Sequence, residues 1–183
     1  MNRAAFDFFA DLLRRESGMS LTPEKSYLLE SRLLPLAQDR GYADVEALAQ
    51  QLRRDADNRA LCQAVIEAMV THESSFFRDL RPFDHLKNVL LPDLLARNPA
   101  EKRLRIWSAA CAGGQEVYSI AMMLKEMAAE WKGWKIDLVG TDISRDILRQ
   151  AEDGRFTQFE VQRGLPVKML VKYFTQEGDY WRV

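Results

Sequence analysis

The most constraining feature of this 183-residue sequence is a change of periodicity after about residue 100. Leu104 to Ala109 (LRIWSA) is an apolar run of strand length. It is followed by the loop Cys111-Ala112-Gly113-Gly114-Gln115-Glu116 and a helical stretch from Val117 to about Trp131. Lys135 to Gly140 (KIDLVG) reads as a second strand, ending in Thr141-Asp142, and a helix from about Ser144 to Asp153 follows. Parallel strands need a crossover between them, and a helix is the usual one. Strand, turn, helix, repeated twice, therefore predicts an α/β fold with a parallel, doubly wound sheet.

The region before it has another character. Phe6, Phe9 and Leu13 recur at helical spacing, with Gly18 where a helix would stop. Thr22-Pro23 predicts a second helix start, with Leu28, Leu29, Leu33 and Leu36 facing inward, an end near Gly41, and a kink or early break at Pro35. Val45, Leu48, Ala49 and Leu52 mark a third helix, and Leu61, Val65, Ile66 and Met69 a fourth. Pro82 to Arg97 reads as one more, ending before Asn98-Pro99, because a residue that precedes proline resists helical geometry. The expected organisation is a small all-α domain over 1–72 and an α/β domain over 73–183.

Composition narrows the function classes. A hydrophobic fraction of 47% supplies a core. A net charge of −1 argues against a general nucleic-acid binder, which would be strongly basic. Cys62 and Cys111 are too few for a disulfide framework and point to a reducing compartment. No apolar run approaches the roughly 18 to 20 residues of a membrane span. Asp7 and Asp11 interrupt the N-terminal apolar stripe, which excludes a signal peptide. A cytoplasmic protein without membrane insertion is expected.

Ligands of open parallel sheets bind beyond the carboxyl ends of the strands. Gly113 and Gly114 stand there, and glycine lets backbone approach a ligand closely; a tight strand-to-helix turn is the alternative. Asp142 ends the second strand and can accept the ribose hydroxyls of a nucleoside cofactor, or simply cap the next helix. Glu116 falls in the first helical turn, where it either complements the helix dipole or holds a cationic group such as a methionine ammonium. An acid in a loop without Lys or Arg disfavours a pyrophosphate, and with it a nicotinamide-dependent reductase. Arg78, in Thr71-His72-Glu73-Ser74-Ser75-Phe76-Phe77-Arg78-Asp79, can grip a carboxylate or pair with Asp79 on the surface. No metal-ligand spacing occurs.

Taken together and in order, THESSFFRD, IWSAACAGGQEVYSIAM, GTDIS and RGLPVKMLVKYF resemble the CheR family of chemotaxis receptor methyltransferases, over essentially the whole chain. The resemblance implies a helical N-terminal domain joined to a Rossmann-like domain that uses S-adenosylmethionine, releases S-adenosylhomocysteine, and methylates glutamates on the cytoplasmic helices of chemoreceptors. It implies His72, Ser74, Arg78, Gly114, Glu116 and Asp142 as cofactor contacts, with Arg78 also the candidate for orienting a carboxylate in catalysis. The family usually has Asn and Thr at positions 72 and 74, Glu at 115 and Pro at 117. Its pattern continues with an Asn-Leu pair and a Cys-Arg-Asn segment that this sequence lacks, so the chain is expected to be a C-terminally truncated form, or a non-catalytic binding fragment. Lys25, Arg32 and Arg40 could read an acidic receptor helix, although residues 1–70 hold 9 basic and 11 acidic side chains, net −2. A shortened sheet leaves open edges, which predicts a homo-oligomer or a segment-swapped dimer.

Overall fold

A computed structural model describes residues 1–97 and 100–183, so the expected helix end at Asn98-Pro99 lies outside the described residues. The chain divides into two compact units, Met1–Thr71 and His72–Val183.

The first unit is helical. Helix α1 (Arg3–Ser17) is capped by the Asn2 side chain, which accepts from the Ala5 amide, and ends at Gly18 with φ 73°. Thr22-Pro23 opens a 3₁₀ turn, Pro23–Lys25, and α2 itself runs Ser26–Asp39. Thr22 makes no side-chain cap, which corrects the helix start expected there. The helix also continues four residues past Pro35. Pro35 cannot donate to the carbonyl one turn back, on Ser31, and Ser31 is exposed, so water can satisfy it. Asp44 caps α3 (Val45–Arg54) and Asn58 caps α4 (Arg59–Met69). Phe9, Leu13, Leu29, Leu33, Leu48, Val65 and Met69 meet in one core. Arg32 is not free to read a partner: its Nη1 donates to the Met69 carbonyl and its Nη2 to Thr71 Oγ1 at 2.9 Å, stitching α2 to the end of α4.

In the second unit, the expected single helix over 82–97 is three segments in succession. These are α5 (Arg81–His85), a widened π turn (Leu86–Leu90) and α6 (Leu91–Arg97). Strand β1 (Arg103–Ala109) leads into α7 (Gln115–Glu126) and β2 (Lys135–Thr141), and β1 and β2 pair in parallel over their full length. Leu104, Ile106, Ile136 and Leu138 share a core with Ile120, Met123 and Leu124 of α7. The opposite face carries Trp107 and Val139, 71% and 54% exposed. Ser144 caps α8 (Arg145–Asp153).

Beyond α8 the chain builds a sheet that no periodicity announced. Strands β3 (Arg155–Thr157), β4 (Thr175–Glu177) and β5 (Tyr180–Arg182) are antiparallel in the order β3-β5-β4, with α9 (Gln158–Gln162) and α10 (Val167–Tyr173) between the first two. Gly178 and Asp179 turn the β4–β5 hairpin, with Gly178 at φ 61°, as two-residue hairpin loops require. Phe156 from this sheet is edge-on to both Phe76 and Phe174, which ties the small sheet to the loop that carries Arg78.

Candidate functional site

The ends of β1 and β2 are held together by one carboxylate. Asp142 Oδ2 accepts from the Ala112 amide at 2.9 Å, and Oδ1 accepts from the Ser144 amide at 3.0 Å. The Cys111 amide donates to the Thr141 carbonyl at 2.9 Å alongside. Ala110 and Ala112 sit at φ 59° and 48°, conformations that non-glycine residues avoid and that surrounding contacts must enforce. Capping of α8 falls to Ser144, whose Oγ accepts from the Ile147 amide, so Asp142 stands one step upstream of the cap. A carboxylate has about four lone-pair positions, and the two amides use two of them. Acceptor capacity therefore remains for hydroxyl donors.

Glu116 lies in the first turn of α7, and its Oε1 accepts from Ser108 Oγ at 2.7 Å. Ser108 is buried near the end of β1, so the strand itself aims the glutamate. Arg78 follows the buried pair Phe76-Phe77 and donates through Nη1 to the Glu73 carbonyl at 2.9 Å. Arg78 and Glu116, 38 positions apart in sequence, line the same cavity of about 360 Å³, together with Asp79, Pro82, Phe83, Leu86, Leu90 and Ile120. This cavity can offer a cation, Arg78, and two carboxylates, Asp79 and Glu116, and the rest of its lining is apolar.

The remaining predicted residues are placed differently. Gly114 has φ 87°, and a Cβ there would press on Ala151 and on the Tyr118 ring, each at 3.1 Å. The left-handed backbone and these close approaches from α7 and α8 together favour glycine there. Gly114 lines a second cavity of about 240 Å³ with Cys111, Tyr118, Gly140 and Leu148. His72 and Ser74 are half-buried at the start of the Arg78 loop. The His72 Nε2 is buried and has no hydrogen-bond partner among the described residues.

Two buried serines here escaped the sequence reading, and Gln115, read there only as a departure from the family, is buried with them. Ser108 fixes Glu116, as described. Ser119, fully buried, accepts from the Phe77 amide at 3.0 Å and donates to the Gln115 carbonyl at 2.6 Å, which anchors the Arg78 loop on α7. Gln115 is buried, its Oε1 has no hydrogen-bond partner among the described residues, and its Nε2 is 3.4 Å from Glu160 Oε1. Serines on a buried helix face or strand carry no sequence signal of their own, because their partners are distant in the chain. Burial pushes the Cys111 thiol up from its ordinary pKa, and the Asp142 charge adds to the effect.

Comparison with known proteins decides the family. Residues 72–183 match the family model described as CheR methyltransferase, SAM binding domain, and residues 4–70 match CheR methyltransferase, all-alpha domain. The chain belongs to the CheR methyltransferase family. Among its relatives, "Chemotaxis protein methyltransferase Cher2" of Pseudomonas putida is 35% identical over 176 residues, 94% of this chain and 63% of that protein. "Chemotaxis protein methyltransferase 1" of Pseudomonas aeruginosa is 36% identical over 178 residues, 96% of this chain and 64% of the relative. A chemotaxis protein methyltransferase of Borreliella burgdorferi is 34% identical over 165 residues, 88% of this chain and 58% of its own length. The chain thus spans less than two thirds of each of these relatives. The fold is that of the family: an all-α domain, then the α/β domain that in CheR proteins binds S-adenosylmethionine.

Proposed function

We propose that residues 72–183 bind S-adenosylmethionine at the ends of β1 and β2, and that the enzyme transfers its methyl group to glutamate side chains on the cytoplasmic helices of chemoreceptors. The observation that carries this reading is the convergence of Arg78 and Glu116 on one cavity beside the Asp142-clipped strand ends. An amino-acid end carries both charges, and this pair complements both: Glu116 takes the ammonium, Arg78 the carboxylate. Asp142 takes the ribose hydroxyls through its remaining lone pairs, and His72, Ser74 and the Gly114 loop complete the contacts. The orphaned His72 Nε2 suits this, since a bound molecule would relieve its cost.

When bound, the cofactor supplies an electrophilic methyl on a sulfonium. The chain has little else to do. A glutamate, with an unperturbed pKa of about 4.3, is already ionised at neutral pH, so no general base is needed. Arg78 and Glu116 orient, and the apolar walls from Phe83, Leu86 and Ile120 exclude water. That favours a reaction in which opposite charges cancel.

The same reading takes 1–72 as a receptor-facing helical domain and 73–183 as the cofactor domain, in a cytoplasmic protein. Lys25 and Arg40 remain exposed on the first of these, whereas Arg32 is engaged internally. The open Trp107–Val139 face supports self-association, as a homo-oligomer or a segment-swapped dimer. The test incubates the chain with methyl-labelled S-adenosylmethionine and a receptor cytoplasmic fragment. Alkali-labile label on receptor glutamates is expected. A chain that binds the cofactor but labels no carboxylate would remove the substrate assignment and leave the cofactor assignment standing.

A further inference from the structure

The short turn between α9 and α10 meets the Arg78 loop twice. Arg163 Nη2 pairs with Glu73 Oε1 at 3.2 Å. Next to it, Gly164 has φ 84°, and a Cβ built there would overlap the Phe76 carbonyl oxygen and stand 3.1 Å from its carbon. The obstacle is backbone, not the end of a flexible side chain, so only glycine fits. Between these two contacts the loop is fixed from inside. Phe76 is fully buried and edge-on to Phe156 and Phe174, the Phe77 amide is held by Ser119, and the Glu73 carbonyl receives Arg78 Nη1. Phe77, Asp79 and Leu80 all have positive φ, at 48°, 64° and 46°. Such a run is unfavourable in isolation and persists only where neighbours over-determine it.

We propose that the Arg163–Gly164 turn is a positioning element for Arg78. The Arg163 ion pair fixes the residue whose carbonyl orients the guanidinium, and Gly164 lets the turn close onto the Phe76 backbone. Neither residue touches ligand. They preset the geometry in which Arg78 meets a carboxylate, which matters because misplacement of about 1 Å in a positioned group is costly. The proposal rests on the reading of Arg78 as the carboxylate grip.

The test is calorimetric titration of the 183-residue chain with S-adenosylhomocysteine and with 5′-methylthioadenosine, which lacks the amino-acid end. The variants are Arg163→Ala, Gly164→Ala, Arg78→Ala and the Arg163→Ala/Arg78→Ala double. Arg163→Ala should weaken S-adenosylhomocysteine by about fivefold, leave methylthioadenosine unchanged, and add nothing in the Arg78→Ala background, as coupled residues are non-additive. Gly164→Ala should lose more, and should it fail to fold, Arg163→Ala decides. Wild-type affinity in Arg163→Ala, equal weakening of both ligands, or additivity with Arg78→Ala overturns the proposal alone. A wild-type chain that binds neither ligand overturns the cofactor reading, and the proposal with it.

Discussion

At the scale of single residues, Asp142 joins the ends of two strands through one carboxylate. Its oxygens receive two backbone amides in the protein itself, so its value does not wait for a ligand. Asp142→Asn would turn a donor toward the Ala112 or Ser144 amide and strand it. A loss of about 1 kcal/mol, toward the low end of the cost of an unmade hydrogen bond because these are only part-buried, is expected in ligand-free urea unfolding. Unchanged stability would mean the clip is incidental. Cys111 provides a pH test beside it. Burial, and then the Asp142 charge, raise its thiol above the ordinary value, so the protonated form is favoured in the folded state. The stability it contributes is present below the unfolded pKa and lost as pH rises through the higher folded one. Alkylation at pH 8 should be slower in the folded chain than for a free cysteine, and a rate equal to that of the unfolded chain would contradict this. The placement of Asp142 just past β2 and of Glu116 in the first turn of α7 was legible in the sequence, because both follow from strand ends. Ser108 and Ser119 were not, since the Phe77–Ser119 bond joins residues 42 apart and no local pattern encodes it.

At the scale of elements, the parallel β1–β2 pair and the four N-terminal helices followed from periodicity. The antiparallel sheet did not. Its strands are three residues long, too short for alternation to show, and their pairing depends on Phe156 finding Phe76 and Phe174. Because that aromatic cluster joins the small sheet to the Arg78 loop, Phe156→Ala should cost about 3–5 kcal/mol in chemical denaturation, as a large buried aromatic does. It should also weaken S-adenosylhomocysteine binding. A destabilised variant with unchanged affinity would show that the sheet and the loop are independent. The π turn at Leu86–Leu90 was equally invisible. Its terminal residues, Leu86 and Leu90, both line the Arg78–Glu116 cavity, which is where such turns tend to occur.

At the scale of the molecule, the chain forms two compact units, Met1–Thr71 and His72–Val183, and the second opens on the Arg78 loop. The uncovered face of the parallel pair is the feature with physical consequences. Trp107 stands 71% exposed next to Val139 on it, beside the Arg105–Asp137 ion pair, and such exposed apolar area promotes association. Sedimentation at rising concentration should show self-association that Trp107→Lys reduces. A compact monomer at every concentration would count against it. The central claim, that adjoining strand ends cradle an adenosyl amino acid, is tested most directly by a crystal structure of the chain with S-adenosylhomocysteine. The account expects the ribose hydroxyls on Asp142, the amine on Glu116 and the carboxylate on Arg78. Ligand bound elsewhere, or the crevice closed by side chains of the protein itself, would contradict it.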